Sequence, residues 1–262
     1  MSEPTIRFDD GAGYERMMGI WSRLVGEKFL EWLAPSAGLR WIDVGCGNGA
    51  FTELLVERCA PAQVQGIDPS EAQLAFARTR PAASLVQFQR GDAMALPFSA
   101  GSFDAAVMAL VIFFVPDPAK GIAEMVRVVR PTGLVASYAW DMVGGGFPPE
   151  PILSEMRAMG LSPPRPPQID ASRSQVLAEL WRNAGLEAVE LREITVHRTF
   201  VDFDDFWETN LKGSSVRAMV AIMCPADVEN LKARVRTRLA AKAGHPITCA
   251  ARANAVRGRI PG

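Results

Sequence analysis

The sequence predicts an α/β protein: a doubly wound, mostly parallel seven-stranded sheet with helices on both faces and a helical insertion near the C-terminus. Three observations carry that expectation. Short apolar runs alternate with stretches of helical periodicity as far as residue 140. A glycine turn, WIDVGCGNG (41–49), stands between the first such run and the helix after it. FDAAVMALV (103–111) is continuously apolar, as a strand covered on both faces must be.

Each element has its own signal. Residues 14–33 place Met17, Met18, Trp21, Leu24, Val25, Phe29 and Leu33 at helical spacing. LRWIDV (39–44) reads as the first strand, and AFTELLVERC (50–59) as a helix with Phe51, Leu54 and Leu55 on one face. AQVQGID (62–68) is the second strand, after which Ser70 and Gln73 form a capping box for the helix EAQLAFAR. SLVQFQRGD (84–92) is the third strand and 103–111 the fourth. Asp117 and Pro118 open the helix PAKGIAEMVRVVR, which Pro131 and Gly133 close; LVASYAW (134–140) is the fifth strand.

Beyond Trp140 the Gly/Pro-rich stretch 141–171 brackets a short helix, ILSEMRAMG, and reads either as a lid or as a plain surface loop. A helix (172–185), a long strand (186–200), a helical insertion (203–243) and a last strand, ITCAARANAVRGR (247–259), complete the chain. With no internal repeat, residues 1–262 are expected to form one domain in which 1–36 is an N-terminal helical lid.

Composition excludes several classes. The 262 residues are 48% hydrophobic and 22% charged with a net charge of −1, so nothing argues for a nucleic-acid or anionic-membrane partner. The basic run KARVRTRLAAK (232–242) reads as a solvated helix face. No apolar run approaches the roughly eighteen residues of a membrane-spanning helix, and the N-terminus lacks the basic-then-apolar order of a signal peptide. Four scattered cysteines without a CxxC pair suggest a reduced, cytoplasmic protein, and no cluster of ligand-type residues suggests a metal.

Gly45, Gly47 and Ala50 satisfy the loose dinucleotide pattern GxGxxG/A, and Asp68 stands where a ribose-binding acid belongs. A nicotinamide dinucleotide and S-adenosylmethionine (SAM) both present a ribose there, but three features separate them. Asp43, two residues before the first glycine, would repel a pyrophosphate yet favour the ammonium of SAM. In GDAMALPF (91–98), Asp92 could accept from an adenine amino group while Ala93 and Met94 cover the ring. The usual hydride-transfer residues are missing: both histidines, His197 and His245, lie far downstream, and Tyr138 has no lysine four residues on.

The run WIDVGCGNG, GIDPSEAQLAFAR, GDAMALPFSAGSFDAAV and VRPTGLV, in that order over residues 38–140, resembles the small-molecule SAM-dependent methyltransferases with a Rossmann-like fold. The head YERMMGIWSR and tail ARANAVRGR are similar to a bacterial, type 11-like branch. The resemblance implies that Asp43, Gly45, Cys46 and Gly47 surround the methionine part of SAM. It puts Asp68 on the ribose hydroxyls, Pro69 beside the adenine, Asp92, Ala93 and Met94 on the adenine, and Ala109 and Leu110 on the sulfonium side. Tyr14 and Arg23 become lid contacts, Arg23 either pairing with the SAM carboxylate or remaining a surface arginine. Cys46 could be a nucleophile at a helix N-terminus, but the resemblance makes it a small packed residue whose backbone faces the cofactor.

The implied activity is methyl transfer from SAM to a small apolar metabolite. A SAM-binding protein without methyl transfer and an NAD(P)-dependent oxidoreductase stand as alternatives. In ALVIFFVPD (109–117), Phe113 and Phe114 occupy positions where relatives often carry histidine. Phe113 and Trp140 are therefore expected to line an apolar acceptor site, with Phe147, Met156, Met159, Trp207 and Met219 as candidates for the same wall. Core packing is the alternative for each. His197 and His245 would act as bases only if the insertion folded over the pocket.

Overall fold

A computed structural model describes residues 15–262, without the side chains of Arg16 and Ser214; Tyr14 lies outside the described residues. The strands are β1 (Arg40–Val44), β2 (Gln63–Asp68), β3 (Val86–Arg90), β4 (Phe103–Ala109), β5 (Val129–Trp140), β6 (Glu187–Phe200) and β7 (Ile247–Arg259). They form one seven-stranded sheet in the order β3-β2-β1-β4-β5-β7-β6. Every pairing from β3 to β5 is parallel, whereas β7 runs antiparallel to both β5 and β6. The order reverses between β1 and β4, so the carboxyl ends of these two strands flank the crevice where such sheets hold ligands.

Alternation along the strands sends side chains to two separate cores. Trp41, Ala105, Val107, Ala136, Tyr138 and Trp140 belong to one apolar cluster with α1 (Ile20–Leu33) and α2 (Ala50–Cys59). Ile42, Val44, Ala106, Met108 and Val135 belong to the other, with α4 (Pro118–Val128) and α6 (Ser174–Asn183). After β2 comes the short α3 (Glu71–Ala77), whose N-cap Ser70 accepts from the Gln73 backbone N–H as the capping box predicts. Asp43 shares the α1–α2 face of β1 with Trp41. That is why a carboxylate comes to lie inside the protein, beneath α2.

Two boundaries differ from expectation for local reasons. β3 starts only at Val86, because Pro81–Leu85 coils into a 3-10 turn. α4 stops at Val128 and β5 begins immediately, five residues before the expected start at 134. Pro131 cannot continue a helix and pushes the residue before it toward extended backbone. The register slips here, with Phe103 opposite Val129 but Ala105 opposite Leu134, and Thr132 takes a positive φ of 63°.

The Gly/Pro-rich 141–171 segment is docked along much of its length. Its helix α5 (Glu150–Ala158) buries Ile152, Leu153 and Met156 in the α1–α2 core. Near the end of the segment, the Gln168 N–H donates to Phe113 O (3.0 Å) and its Nε2 to Pro116 O (2.9 Å). The insertion comprises α7 (Phe203–Leu211), α8 (Ser214–Val220) and α9 (Pro225–Arg238). It packs through Phe203, Phe206, Trp207, Val216, Met219, Leu231 and Val235. Among the described residues no helix is long and apolar enough to cross a membrane.

Candidate functional site

Where β1 meets α2 the backbone turns through three glycines in the left-handed region, Gly45 (φ 76°), Gly47 (φ 52°) and Gly49 (φ 78°). The N–H groups of Gly45 and Cys46 both donate to Ile67 O, at 2.7 and 2.9 Å, which ties the turn to β2. At Gly45 a Cβ would lie 2.5 Å from Val111 Cγ1, so only glycine lets the loop after β4 approach the turn. Nothing lies within 4 Å of a Cβ at Gly47.

This turn lines a cavity of about 240 Å³ at the carboxyl ends of the parallel strands. Gly45, Cys46, Gly47 and Asn48 come from the turn, Asp68, Pro69, Ser70 and Gln73 from the end of β2 and the start of α3. Gly91, Asp92 and Ala93 follow β3, and Ala109, Leu110 and Val111 end β4. Leu110 is held at φ 61°, a strained conformation for a bulky residue, while its N–H donates to Tyr138 O at 2.8 Å. Strain at that point fits a segment shaped for ligand contact.

Asp68 joins the two motifs physically. Its Oδ2 accepts from the Gly47 N–H (2.9 Å) and its Oδ1 from the Ser70 N–H (2.8 Å). Each oxygen keeps a lone pair for a ligand hydroxyl. Burial raises its pKa above the usual carboxylate range, and the two N–H bonds oppose that. Asp92 is exposed and accepts from the Met94 N–H at 2.8 Å, which shapes the turn after β3.

Asp43 stands behind the turn and does not line the cavity. It is fully buried; Oδ2 accepts from Thr52 Oγ1 at 2.6 Å, and Oδ1 has no hydrogen-bond partner among the described residues. Burial pushes its carboxyl up to about 7, against the Thr52 bond and helped by the nearby Asp68 charge. A buried carboxyl with an unpaired oxygen behind a glycine cradle suits a cation bound in front of it, whose charge would favour the ionised form. The Cys46 thiol is buried, and burial together with the charges of Asp43 and Asp68 raises its pKa well above normal. A thiol so protonated is no nucleophile, leaving the residue its small size and its backbone.

Several expected positions are corrected. Arg23 does not reach the cavity: its guanidinium, about half exposed, pairs with Glu57 at 2.9 Å and Glu27 at 3.4 Å on the outer side of α1. Phe113 is 3% exposed and packs with Ile112, Met125 and Leu177 in the α4–α6 core, so its neighbour Phe114 lines the cavity instead. The 3-10 turn Ile112–Phe114 rotates successive side chains by about a third of a turn, and a choice between two adjacent phenylalanines hangs on it. Trp140 is buried in the α1–α2 core, one pleat beyond Tyr138, which takes the cavity position. Met94 is half-buried against the opposite core and lies outside the lining. Met156, Trp207 and Met219 are core residues, Phe147 and Met159 pack against the same core, and His197 and His245 are exposed; none of these lines the cavity.

Other cavity residues were not expected in its wall: Ser22 from α1, Phe51 from α2, and Asn48, Gln73, Phe114 and Tyr138. The turn is also fastened from outside. Arg80 donates to Asn48 O (2.6 Å), Glu53 (2.9 Å) and Glu15 (2.5 Å), while Asn48 Nδ2 donates to the same Glu15 oxygen (2.9 Å). Glu15 belongs to the π-turn Glu15–Gly19 that leads into α1, so this turn is latched onto the glycine turn.

A glycine cradle at the switch point, acids at successive strand ends and a buried carboxylate behind the cradle define a Rossmann-like SAM site rather than a pyrophosphate site. A methyltransferase domain model matches residues 42–137. Demethylmenaquinone methyltransferase of Desulfitobacterium hafniense is 34% identical over 116 residues, covering 42% of this chain and 46% of the relative. The ubiquinone biosynthesis O-methyltransferase of Aromatoleum aromaticum is 33% identical over 177 residues, 62% of this chain and 71% of the relative. By these similarities the chain belongs to the SAM-dependent methyltransferase family. The chain spans about half the length of several curated relatives it matches. In fold it is similar to phosphoethanolamine N-methyltransferase 2 of Haemonchus contortus, solved with SAM (TM-score 0.59, 19% identity, covering 98% of this chain and 58% of that one).

Proposed function

We propose that this protein binds SAM and transfers its methyl group to a small, largely apolar acceptor. The observation that carries the reading is the joint geometry of the glycine turn, Asp68 and the buried Asp43. Asp68, already oriented by two backbone N–H groups, would take the ribose hydroxyls, with Pro69, Asp92 and Ala93 around the adenine. Gly45, Cys46 and Gly47 would cradle the methionine part, and Asp43 would supply the negative field for its ammonium. Ala109 and Leu110 would face the sulfonium. Bound SAM supplies a methyl group on a sulfonium, a leaving group that needs little chemical help. The protein's share is alignment and exclusion of water.

The acceptor side is supported by the lining. Phe51, Leu110, Val111, Phe114 and Tyr138 make it apolar and aromatic, and no histidine, lysine or arginine appears among its described residues. Relatives named as methyltransferases of menaquinone and ubiquinone biosynthesis favour an acceptor of that apolar kind. The same lack of hydride-transfer residues weighs against a nicotinamide enzyme. Four free cysteines support a reducing, cytoplasmic setting.

Calorimetric titration tests the cofactor directly. SAM and S-adenosylhomocysteine should bind and NAD should not; binding of NAD alone would sink the reading. Transfer of labelled methyl from SAM into a small-metabolite extract then separates an enzyme from a protein that merely binds SAM.

A further inference from the structure

One polar group of the cavity has no role in the proposed cofactor site. Ser22, on α1, lines the cavity and is 7% exposed; its Oγ is sealed from water and makes no hydrogen bond among the described residues. It lies one turn before Gly26 on the same helix face. At Gly26 a Cβ would stand 2.8 Å from Leu54 Cδ2, 3.2 Å from Phe51 Cδ2 and 3.4 Å from Tyr138 Oη. The missing side chain lets α1 lie against Phe51 and Tyr138, both of which line the same cavity as Ser22. A serine within a helix ordinarily returns its hydroxyl to a carbonyl one turn back or leaves it in water. Here it does neither, and an unmade hydrogen bond in a dry site is a penalty that a ligand's polar group would relieve.

Charge narrows what that group is. The charged members of the described lining are Asp68 and Asp92, at the β2 and β3 ends of the sheet, away from β5 and Tyr138. Arg23, next to Ser22 in sequence, is turned outward and held by Glu57 and Glu27. A carboxylate or phosphate at Ser22 would therefore be buried beside none of the described lining's cations, because that lining has none. A neutral hydroxyl on a flat ring fits instead, the ring against Phe51 and Tyr138 and the hydroxyl on Ser22 Oγ.

We propose that Ser22 is a specificity-determining residue for the methyl acceptor, its hydroxyl bonding the neutral hydroxyl of an aryl compound packed against Phe51 and Tyr138. The assignment rests on the methyltransferase reading above. Its test is calorimetric: 1-naphthol, naphthalene and 1-naphthoate are titrated into protein saturated with S-adenosylhomocysteine. The expected result is naphthol binding about tenfold or more tighter than naphthalene, with naphthoate no better than naphthalene. Ser22→Ala should erase that preference without altering S-adenosylhomocysteine affinity, and Ser22→Thr, which keeps a hydroxyl, should restore it. Because the unmodified protein reports the preference by itself, a poorly folding variant does not leave the idea unexamined. No binding of naphthol, a preference for naphthoate, or a preference that survives Ser22→Ala overturns the assignment. So does a fall in S-adenosylhomocysteine affinity in Ser22→Ala, which would put Ser22 on the cofactor. Failure of S-adenosylhomocysteine to bind at all, seen before any naphthol is added, brings down the methyltransferase reading itself.

Discussion

The two ends of the cavity are built in different ways. At the end where the proposed function puts the cofactor, the turns after three strands supply the lining, largely through backbone groups and short acids: Gly45–Asn48 after β1, Asp68–Ser70 after β2 and Gly91–Ala93 after β3. At the end proposed for the acceptor the wall is made of side chains from separate elements, Ser22 on α1, Phe51 on α2, Phe114 beyond β4 and Tyr138 on β5. The first end depends on local turn geometry; the second depends on which way a helix face or a 3-10 turn happens to point. Substitutions should therefore separate the ends by what they damage.

The largest effect is expected from the pair of phenylalanines beyond β4. Phe113 is enclosed in the α4–α6 core, so Phe113→Ala should cost about 3–5 kcal/mol of unfolding free energy in a urea titration. Phe114 is half-buried and faces the cavity, so Phe114→Ala should cost well under half as much stability and show itself in ligand affinity instead. If Phe114→Ala proved the more destabilising of the two, the division between wall and core drawn here would be wrong.

Next in size comes Asp68. Removing a carboxylate that would bond the ribose should weaken SAM binding by about 1.5–3 kcal/mol, roughly ten- to a hundredfold. Asp68→Ala also removes the acceptor of the Gly47 and Ser70 N–H groups, but both residues are only half-buried and line the cavity, where water can replace the carboxylate, so the melting temperature should move little. Unchanged SAM affinity by calorimetry would remove Asp68 from the ribose.

The contrast between the ends also explains what could be read from residues alone. The mostly parallel sheet was legible from the alternation of strands and helices, and the β1 turn, Asp68 and Asp92 because spacing along the chain sets them: each is a fixed step from a strand end. The acceptor wall was not. FFV at 113–115 announced a departure, but only the 3-10 turn decides that Phe114, not Phe113, meets the cavity. Trp140 and Tyr138 share a face of β5, and alternation cannot say how far along the strand the cavity extends. Arg23 and Ser22 are adjacent on a helix, and the roughly 100° step between successive residues sends one to Glu57 and the other inside. Gly26 was the available hint, a helix glycine whose cost in propensity makes sense only where another element comes close.

Asp43 belongs to neither end by contact, yet it should reach the cofactor through charge, and that gives the smallest and most specific effect. In the free protein burial raises its pKa to about 7, whereas an unfolded aspartate titrates near 4. The proton on Asp43 therefore stabilises the folded chain fully below about pH 4, and that contribution is lost as pH rises through 7. A cationic ammonium in front of the glycine turn favours the ionised carboxylate, so binding below pH 7 must expel this proton. SAM affinity should then fall toward about tenfold per pH unit between pH 7 and pH 5, and stay level on this account above 7. Titrations at pH 6 in buffers of different ionisation enthalpy should register close to one proton released per SAM. Asp68 is raised as well and would add to the slope at the acid end, so Asp43→Asn is the discriminating variant. It keeps an acceptor for the Thr52 hydroxyl, should bind SAM more weakly at pH 8, and should lose most of the dependence between pH 7 and 6. A slope that persisted unchanged in Asp43→Asn would assign the proton elsewhere and leave the buried carboxylate as no more than a brace for α2.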